Sequence, residues 1–433
     1  MSANYSFRIG NRRDYWLTNL FFITLFLNGL LVSIVKFLGM PVIGTYVGWT
    51  INILSVFVFV QFLISREYKC LSVKFILIYI IYTLFCIYYI FIHPQLPRGE
   101  LLGVPEDNHR LFIGLLTLSL QILSVPYIVS YLDSKLFAVS ICIITTMFFP
   151  YYFLTIDTSY YILEAMGEYE IHEEFLEMRS VGYLEPFTLS HITGLAIICS
   201  MFLIISNKYN VKIRVLSIVS LIVNTYGFMI AGKRGPTLML IATILLFFFI
   251  RGLMSKKTMY VLFVVLILIF VFSDDIVLLL FQSDFSSGLL ERFSNIQNDG
   301  GSNRLGESDS EYVVALKQIS ENPFFGSYFR SLGKGFAYGH YPHNFILESL
   351  MTFGLLFSIP LMLMIYKAIV QALNSMKTTT FSIVALMFIF FILCYLTSGT
   401  MFMSVEFWIP LALAIAPIKN VDLNKTYKYE DNL

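Results

Sequence analysis

Two cations, Lys233 and Arg234, stand in a glycine-rich turn with the sequence AGKRGPT, and such a turn can bind phosphate. Pro236 suits the first position of a helix, so the turn places both cations beside a helix N-terminus. Free backbone N–H groups and the helix dipole favour anions there, and arginine adds a bidentate fork that lysine lacks. The alternative is that both side chains only anchor a helix at a membrane surface.

A second group of reactive residues opens the apolar segment GHYPHNFILESLMTFG. Asn344, Glu348 and Thr352 recur every four residues and therefore share one helix face. A carboxylate in such a segment is costly, which makes Glu348 a functional candidate, with hydrogen bonding between helices as the alternative. His343 could accept a proton from a sugar hydroxyl, since imidazole titrates near neutral pH. His340 is an equal candidate on chemistry alone, and a lone histidine at a membrane interface is normally structural.

Membrane-spanning helices are the elements that must position these residues. Apolar residues make up 57% of the 433 positions and charged residues only 13%, whereas soluble domains have about 45–50% and about 25%. The apolar residues form blocks of about 20 residues, the length of a helix that crosses a bilayer. The sequence therefore predicts an all-α integral membrane protein and gives no support for nucleic-acid binding. All five cysteines lie in or beside apolar blocks, so we expect no disulfide and no metal site.

Twelve such blocks predict about twelve membrane-spanning helices in one domain that covers residues 1–433. The predicted spans are 16–38, 42–64, 71–93, 111–132, 136–154, 186–206, 214–231, 236–254, 258–280, 345–370, 380–399 and 401–417. The first block is too long for a signal-peptide core and lacks a small-residue cleavage site, so we expect it to be retained as a helix.

Lysine and arginine near the span ends predict the orientation, because basic short loops stay in the cytoplasm. Every second junction and both chain ends are basic, with cations at Arg8, Arg12, Arg13, Arg66, Lys69, Lys135, Lys208, Lys212, Arg214, Arg251, Lys256, Lys257, Lys367, Lys377, Lys419, Lys425 and Lys428. Both termini are therefore expected in the cytoplasm. The outer side receives the loop 155–185 and the long, partly helical loop 281–344 between the ninth and tenth helices. The turn at Lys233 and Arg234 also lies outside, where positive charge opposes the usual bias, and this favours a phosphate site with Arg234 as the better candidate.

The order of these motifs resembles that of the O-antigen polymerase and O-antigen ligase superfamily of bacterial glycan enzymes. The matching residues, from an Arg-Gly turn through a long outer loop to a His-Asn pair and a glycine, are Arg234-Gly235, Arg304, Ala315-Leu316, Pro323, Gly326, His343-Asn344 and Gly354. The segment Arg179-Ser180-Val181-Gly182, followed by Pro186, is similar to another family signature. The spacing from His343 to Gly354 agrees with the family pattern and selects His343 over His340.

The resemblance implies a glycosyltransferase similar to the GT-C class, in a bacterial inner membrane, with its active site on the periplasmic side. It implies a metal-independent, inverting transfer of a glycan from an undecaprenyl-pyrophosphate carrier, without a cofactor. The pyrophosphate would be bound by four cations, Arg234, Arg304, Arg179 and Lys233. The acceptor hydroxyl would be deprotonated by His343, with Asn344 and Glu348 positioning it.

Of the possible activities we favour a polymerase, which moves a growing glycan onto the terminal sugar of a lipid-linked repeat unit. A ligase would use the same donor but transfer the glycan to the lipid A core. A lipid-linked glycan transporter is the third alternative, disfavoured because the chain has no internal repeat and its halves differ in loop length. The expected partners are the lipid-linked oligosaccharide and membrane lipids, with a chain-length regulator and a flippase as candidate protein partners.

Overall fold

The computed structural model describes residues 12–65, 73–91, 108–148, 150, 186–205, 210–231, 234–252, 311–326, 342–376, 382–397, 399–402 and 404–416. Within these residues the chain forms thirteen helices and no strand. Helices suit this sequence because each one pairs its backbone N–H and C=O groups within a single segment, where the bilayer offers no water. The predicted all-α class is therefore confirmed for the described part of the chain.

Nine helices precede residue 251: α1 (Arg12–Phe37), α2 (Pro41–Ser65), α3 (Val73–Phe91), α4 (Asn108–Leu123), α5 (Val125–Tyr131), α6 (Ser134–Met147), α7 (Pro186–Ile205), α8 (Val211–Ala231) and α9 (Arg234–Ile250). Four follow: α10 (Glu311–Glu321), α11 (Phe345–Ser375), α12 (Ser382–Thr397) and α13 (Val405–Ile415). All but α10 coincide with predicted spans, α4 and α5 sharing one span. The predicted span at 258–280, the loop 155–185 and most of the loop 281–344 lie outside the described residues.

Five helices, α1, α2, α7, α8 and α11, are long and apolar enough to cross a membrane by themselves. Six shorter apolar segments lie in α3, α4, α6, α9, α12 and α13. The peripheral helices α2 and α8 expose large apolar side chains, among them Phe57, Ile64 and Ile222, as expected of surfaces that face lipid. The chain is therefore a multi-pass helical membrane protein.

The centre of the bundle is formed by α7 and α12. Residues 189–200 of α7 and 383–392 of α12 are buried without interruption. α7 packs against α6, α8, α9 and α12, so it contacts both the N-terminal and the C-terminal helices. These two helices therefore form the buried core of the bundle, against which other helices pack.

A buried row of polar side chains joins α6, α7 and α8. The Asn224 side-chain amide donates to the Thr145 hydroxyl at 3.1 Å, and the Ser200 hydroxyl donates to that of Ser220 at 3.1 Å. The Cys142 sulfur lies 3.3 Å from the Ser200 hydroxyl. Hydrogen bonds between helices in a membrane contribute about 0.6 kcal/mol each on average. The row therefore fixes the relative register of three helices.

The start of α1 is held against the turn between α5 and α6. The Tyr15 hydroxyl donates to Asp133 at 2.7 Å, and the Asn19 amide donates to the carbonyl of Tyr131 at 3.0 Å. Asp133 also caps α6, because its side chain accepts from the backbone N–H groups of Lys135 and Leu136. Both regions are predicted to be cytoplasmic, so the contact agrees with the alternation of the predicted topology.

The sequence predicted one uninterrupted span from residue 345, and this prediction is wrong at Gly354. That glycine has φ 67° and ψ −175°, which no helix accommodates. The break divides α11 into α11a (345–353) and α11b (355–375). The Ser349 hydroxyl donates to that of Ser358 at 2.8 Å, although residues nine apart in a straight helix are separated by about 13.5 Å along its axis. The two segments therefore fold sharply towards each other.

The turn after α10 closes this break. The backbone N–H groups of Leu355 and Leu356 donate to the carbonyls of Pro323 and Phe324 at 2.8 and 3.2 Å. These bonds satisfy two of the free N–H groups at the start of α11b, which lipid could not satisfy. The turn 322–326 thus takes the place that the preceding helical turn would occupy in a continuous α11.

Two glycines allow this close approach. Gly326 and Gly354 both have positive φ, 66° and 67°. A Cβ atom on Gly326 would lie 2.5 Å from the backbone carbonyl of Thr352, and one on Gly354 would overlap the carbonyl of Phe324. Since real Cβ atoms do not approach so closely, each position requires glycine both for its conformation and for the space.

Candidate functional site

At the end of the bundle that is predicted to be outer, α11a lies against the turn between α12 and α13, of which residues 399–402 and 404 are described. Asn344 begins this arrangement as the N-cap of α11. Its Oδ1 accepts from the backbone N–H groups of Ile346 and Leu347 at 3.0 and 3.2 Å. Its Nδ2 donates to the carbonyl of Leu396 at 3.0 Å, near the C-terminus of α12. One side chain therefore satisfies free backbone groups at two helix ends.

Glu348 lies one helical turn further along the same face of α11a, as the spacing predicted. Its side chain is only 4% exposed. One carboxylate oxygen accepts from the Thr400 hydroxyl and the other from the backbone N–H of Met401 at 2.9 Å. Of the two alternatives raised by the sequence, the structure shows the hydrogen bonding between elements. Its geometry is that of a positioning residue, which fixes the turn onto α11a.

The same turn is held from the opposite side through the carbonyl oxygen of Met401. That oxygen accepts from the Trp408 indole N–H at 3.0 Å and from the Tyr82 hydroxyl at 3.3 Å. The rings of Tyr82 and Trp408 also contact each other, with centroids 4.5 Å apart. Side chains of three helices, α3, α11 and α13, therefore bind the backbone of one residue, Met401, in the turn that follows α12.

A short polar chain caps α13 beside this turn. The Ser404 hydroxyl is bonded to the Tyr395 hydroxyl and lies 3.3 Å from the Glu406 carboxylate. Ser404 also accepts from the backbone N–H of Phe407 at 3.3 Å, as an N-cap residue does. His191 lies nearby, with its ring 6.0 Å from that of Tyr395 and 4.0 Å from that of Phe187. This histidine is buried among aromatic rings.

His343 has an unusual backbone conformation. Its φ is 43°, and it is the one non-glycine residue with positive φ among the described residues. The left-handed conformation costs roughly 1–2 kcal/mol for a residue with a Cβ. Such strain persists where the surroundings impose it and is frequent at functional positions. At His343 the neighbouring residues impose this conformation, because His343 lies between the buried Pro342 and the Asn344 cap.

The proposed pyrophosphate ligands are described only in part. Arg234 is the first residue of α9, which agrees with the helix N-terminus predicted at that turn. The side chain of Arg234 and the whole of Lys233, Arg179 and Arg304 lie outside the described residues. α9 packs against α12, whose C-terminal end is bonded to Asn344. In the predicted topology, the start of α9 and the start of α11a lie on the same side of the membrane.

Several residues of this site were not predicted from the sequence. Most contacts of the turn after α12 come from Thr400, Met401, Tyr82 and Trp408. These residues lie in apolar blocks in which polar side chains do not recur at a helical spacing. The available signal was the very short interval between the last two predicted spans, which requires a tight turn at Gly399 and Thr400. Within the described residues no group of three or more His, Cys, Asp or Glu side chains could hold a metal ion.

No protein-family model matches the sequence, and no curated protein matches it. The resemblance to the O-antigen polymerase and ligase superfamily therefore rests on the motifs in the sequence alone.

Proposed function

We propose that this chain is an O-antigen polymerase, which transfers a glycan from an undecaprenyl-pyrophosphate carrier to the terminal sugar of a lipid-linked repeat unit. One observation of the structure supports the proposal most directly. His343 is held in a strained conformation directly before Asn344, at the point where α11a is fixed to the turn after α12. A base that must meet a large substrate at the membrane surface needs such a rigid support.

In this mechanism the acceptor hydroxyl gives its proton to the His343 imidazole as its oxygen attacks the anomeric carbon of the donor. The bond from that carbon to the pyrophosphate oxygen breaks, and undecaprenyl pyrophosphate leaves with the bonding electrons. A single displacement inverts the anomeric configuration. Asn344 and Glu348 position the base by fixing the start of α11a. We assign no metal or cofactor to the reaction.

The growing negative charge on the leaving group requires fixed cations that bind it more strongly in the transition state than in the ground state. We assign this role to four residues, Arg234, Arg304, Arg179 and Lys233. Arg234 has the best support, since it begins α9 and the N-terminus of a helix favours phosphate. The lipid chain of the donor would lie against the bundle in the membrane.

The wider proposal is a GT-C-like enzyme of a bacterial inner membrane with twelve crossings, cytoplasmic termini and a periplasmic site. It is supported by the agreement of the described helices with eleven predicted spans, since only the ninth span lies outside the described residues. The loop 281–344 would cover the glycan, and a flippase and a chain-length regulator would act beside the enzyme.

Deletion of the gene followed by gel analysis of the surface glycan tests the activity. A lost polymerase leaves single repeat units attached to the lipid A core. A bare core, with polymer still on the undecaprenyl carrier, would identify a ligase instead. Repeat units retained on the cytoplasmic face would identify a transporter, and either of these last two results would contradict the proposal.

Variants of the purified enzyme test the assigned residues with a defined lipid-linked donor. We expect His343→Ala and Arg234→Ala to abolish transfer, because each removes a group that acts on the reacting atoms. Lys317→Ala is the matched control, since Lys317 is an exposed cation of the same outer loop and should keep full activity. His340→Ala discriminates between the two histidines. Wild-type turnover by both the His343 and the Arg234 variants would refute the mechanism.

A further inference from the structure

Two neighbouring phenylalanines project from the turn after α10, in a loop that the sequence assigns to the aqueous outer side. Phe324 is 59% and Phe325 63% exposed. Leu316 of α10 is also exposed, whereas Val314 and Ala315 of the same helix are buried. Large aromatic side chains grouped in this way indicate a surface that binds an apolar partner.

The backbone of the same turn fixes its position relative to the membrane. The carbonyl of Phe324 accepts from the N–H of Leu356, and that of Pro323 from the N–H of Leu355. α11b (355–375) begins at this point. Lys367, a cation predicted to lie at the cytoplasmic surface, comes only twelve residues later, and twelve residues of helix rise about 18 Å, less than the roughly 30 Å of the hydrocarbon core. The turn therefore lies within the hydrocarbon region and not in bulk water.

The exposed face of α11b continues from the two phenylalanines. Leu356, Ile359, Leu363 and Tyr366 are all more than half exposed and recur at intervals of three or four residues, along one face of the helix. In a membrane-spanning helix such a face contacts lipid chains. Because Phe324 is bonded to Leu356, the phenylalanine pair and the first residue of this face are adjacent.

We infer that Phe324 and Phe325 bind the hydrocarbon of the outer leaflet, so that the turn 322–326 is a membrane-embedded anchor of the outer loop. The occupant is the acyl region of the surrounding bilayer, since the pair continues a face that already contacts it. Two features support each other here. The turn must reach the membrane to satisfy the N–H groups of α11b, and its exposed side chains are those that favour the membrane.

Spin labelling of the full-length protein in vesicles of phosphatidylethanolamine and phosphatidylglycerol tests this inference. A nitroxide is attached at Phe325→Cys, at Leu363→Cys as the lipid-facing reference and at Lys317→Cys as the water-facing reference. Collision with oxygen, which concentrates in lipid, is compared with collision with a water-soluble nickel chelate. Each variant also carries Cys70→Ser, and the protein with that change alone gives the background, because the cysteines at 86, 142, 199 and 394 are buried.

We expect the label at Phe325 to have an oxygen-to-nickel accessibility ratio close to that at Leu363 and several-fold above that at Lys317. A ratio equal to that at Lys317 would place the pair in water and overturn the inference. Low collision with both reagents would mean that protein covers the pair, either a second copy or another part of this chain, and would overturn it too. Should Phe325→Cys fail to fold, Phe324→Cys provides the same measurement.

Discussion

At the scale of single residues, the Glu348 carboxylate is a buried acidic group that joins two elements. A buried carboxylate is costly unless its oxygens accept hydrogen bonds. Here each oxygen has a donor on the turn after α12, the Thr400 hydroxyl on one and the Met401 N–H on the other. The same two hydrogen bonds also satisfy the Thr400 hydroxyl and the Met401 N–H. Removal of the carboxylate would leave both without their acceptor.

We predict that Glu348→Ala lowers the free energy of unfolding by about 1–3 kcal/mol, the cost of leaving buried donors unsatisfied. The change should appear as a lower midpoint of thermal unfolding of the purified protein in detergent. Lys317→Ala removes an exposed charge from α10 and should leave the midpoint unchanged.

The bond to Thr400 is tested separately by combining Glu348→Ala with Thr400→Val. Residues that share a hydrogen bond are coupled, so the two losses should not add, and a coupling energy of about 0.5–3 kcal/mol is expected. Full additivity, within error, would show that the two side chains do not interact. It would also weaken the assignment of Glu348 as the residue that positions α11a.

At the scale of elements, the break in α11 is the clearest departure from the predicted spans. α11a, the turn 322–326 and the start of α11b are joined by backbone hydrogen bonds and by the contact between two glycines. The φ and ψ of Gly354 lie in a region that only glycine enters. Substitution there must therefore change the backbone and not only a side chain.

Gly354→Ala is expected to destabilise the protein by clearly more than the roughly 1–2 kcal/mol of a left-handed residue, because the added Cβ would overlap the Phe324 carbonyl. Gly326→Ala should behave similarly. Gly39→Ala and Gly252→Ala are matched controls, since both glycines have positive φ but no atom within 4 Å of an added Cβ. Thermal unfolding of the four variants distinguishes the cost of a positive φ, which all four share, from the cost of steric overlap, which only Gly354→Ala and Gly326→Ala have. Equal losses in all four would mean that the two glycines do not touch.

The sequence predicted the helix positions well because apolar length alone determines which segments enter a bilayer. It also predicted that Asn344 and Glu348 share a face, since that follows from their spacing. It could not predict the break, because glycine is common in membrane helices and the groups that close it, at Pro323 and Phe324, lie about thirty residues away. Long-range contacts such as those of Tyr82 with Met401 have no local signal at all.

At the scale of the whole molecule, the contacts between distant segments follow the predicted alternation of sides. Tyr15 and Asp133 join two predicted cytoplasmic regions, whereas Asn344 and Leu396 join two predicted outer ends. The aromatic contact of Phe91 with Phe112 likewise joins two ends that are predicted to lie on the same side, the end of α3 and the start of α4. The contacts of Tyr15 with Asp133 and of Asn344 with Leu396 could not form if one of the helices between them failed to cross.

Reporter fusions test the orientation that these contacts leave undetermined. Alkaline phosphatase fused after Gly39 should be active, because that turn is predicted to be outside and the enzyme folds only in an oxidising compartment. Fusions after Leu132 and after Met376 should be inactive as phosphatase, and fluorescent protein at the same points should fluoresce. An active phosphatase after Leu132 would contradict the predicted topology and the assignment of Tyr15 to the cytoplasmic side.

The break in α11 also determines how far this helix extends across the membrane. A continuous helix over the 31 residues Phe345–Ser375 would measure about 46 Å, roughly 16 Å more than the hydrocarbon core. Such a helix would have to tilt strongly or carry its N-terminus far above the lipid headgroups. By turning α11a aside at Gly354, the chain avoids this excess length. In the proposed enzyme, His343 and Asn344 would then stay near the outer membrane surface, where the phosphates of the lipid carrier lie.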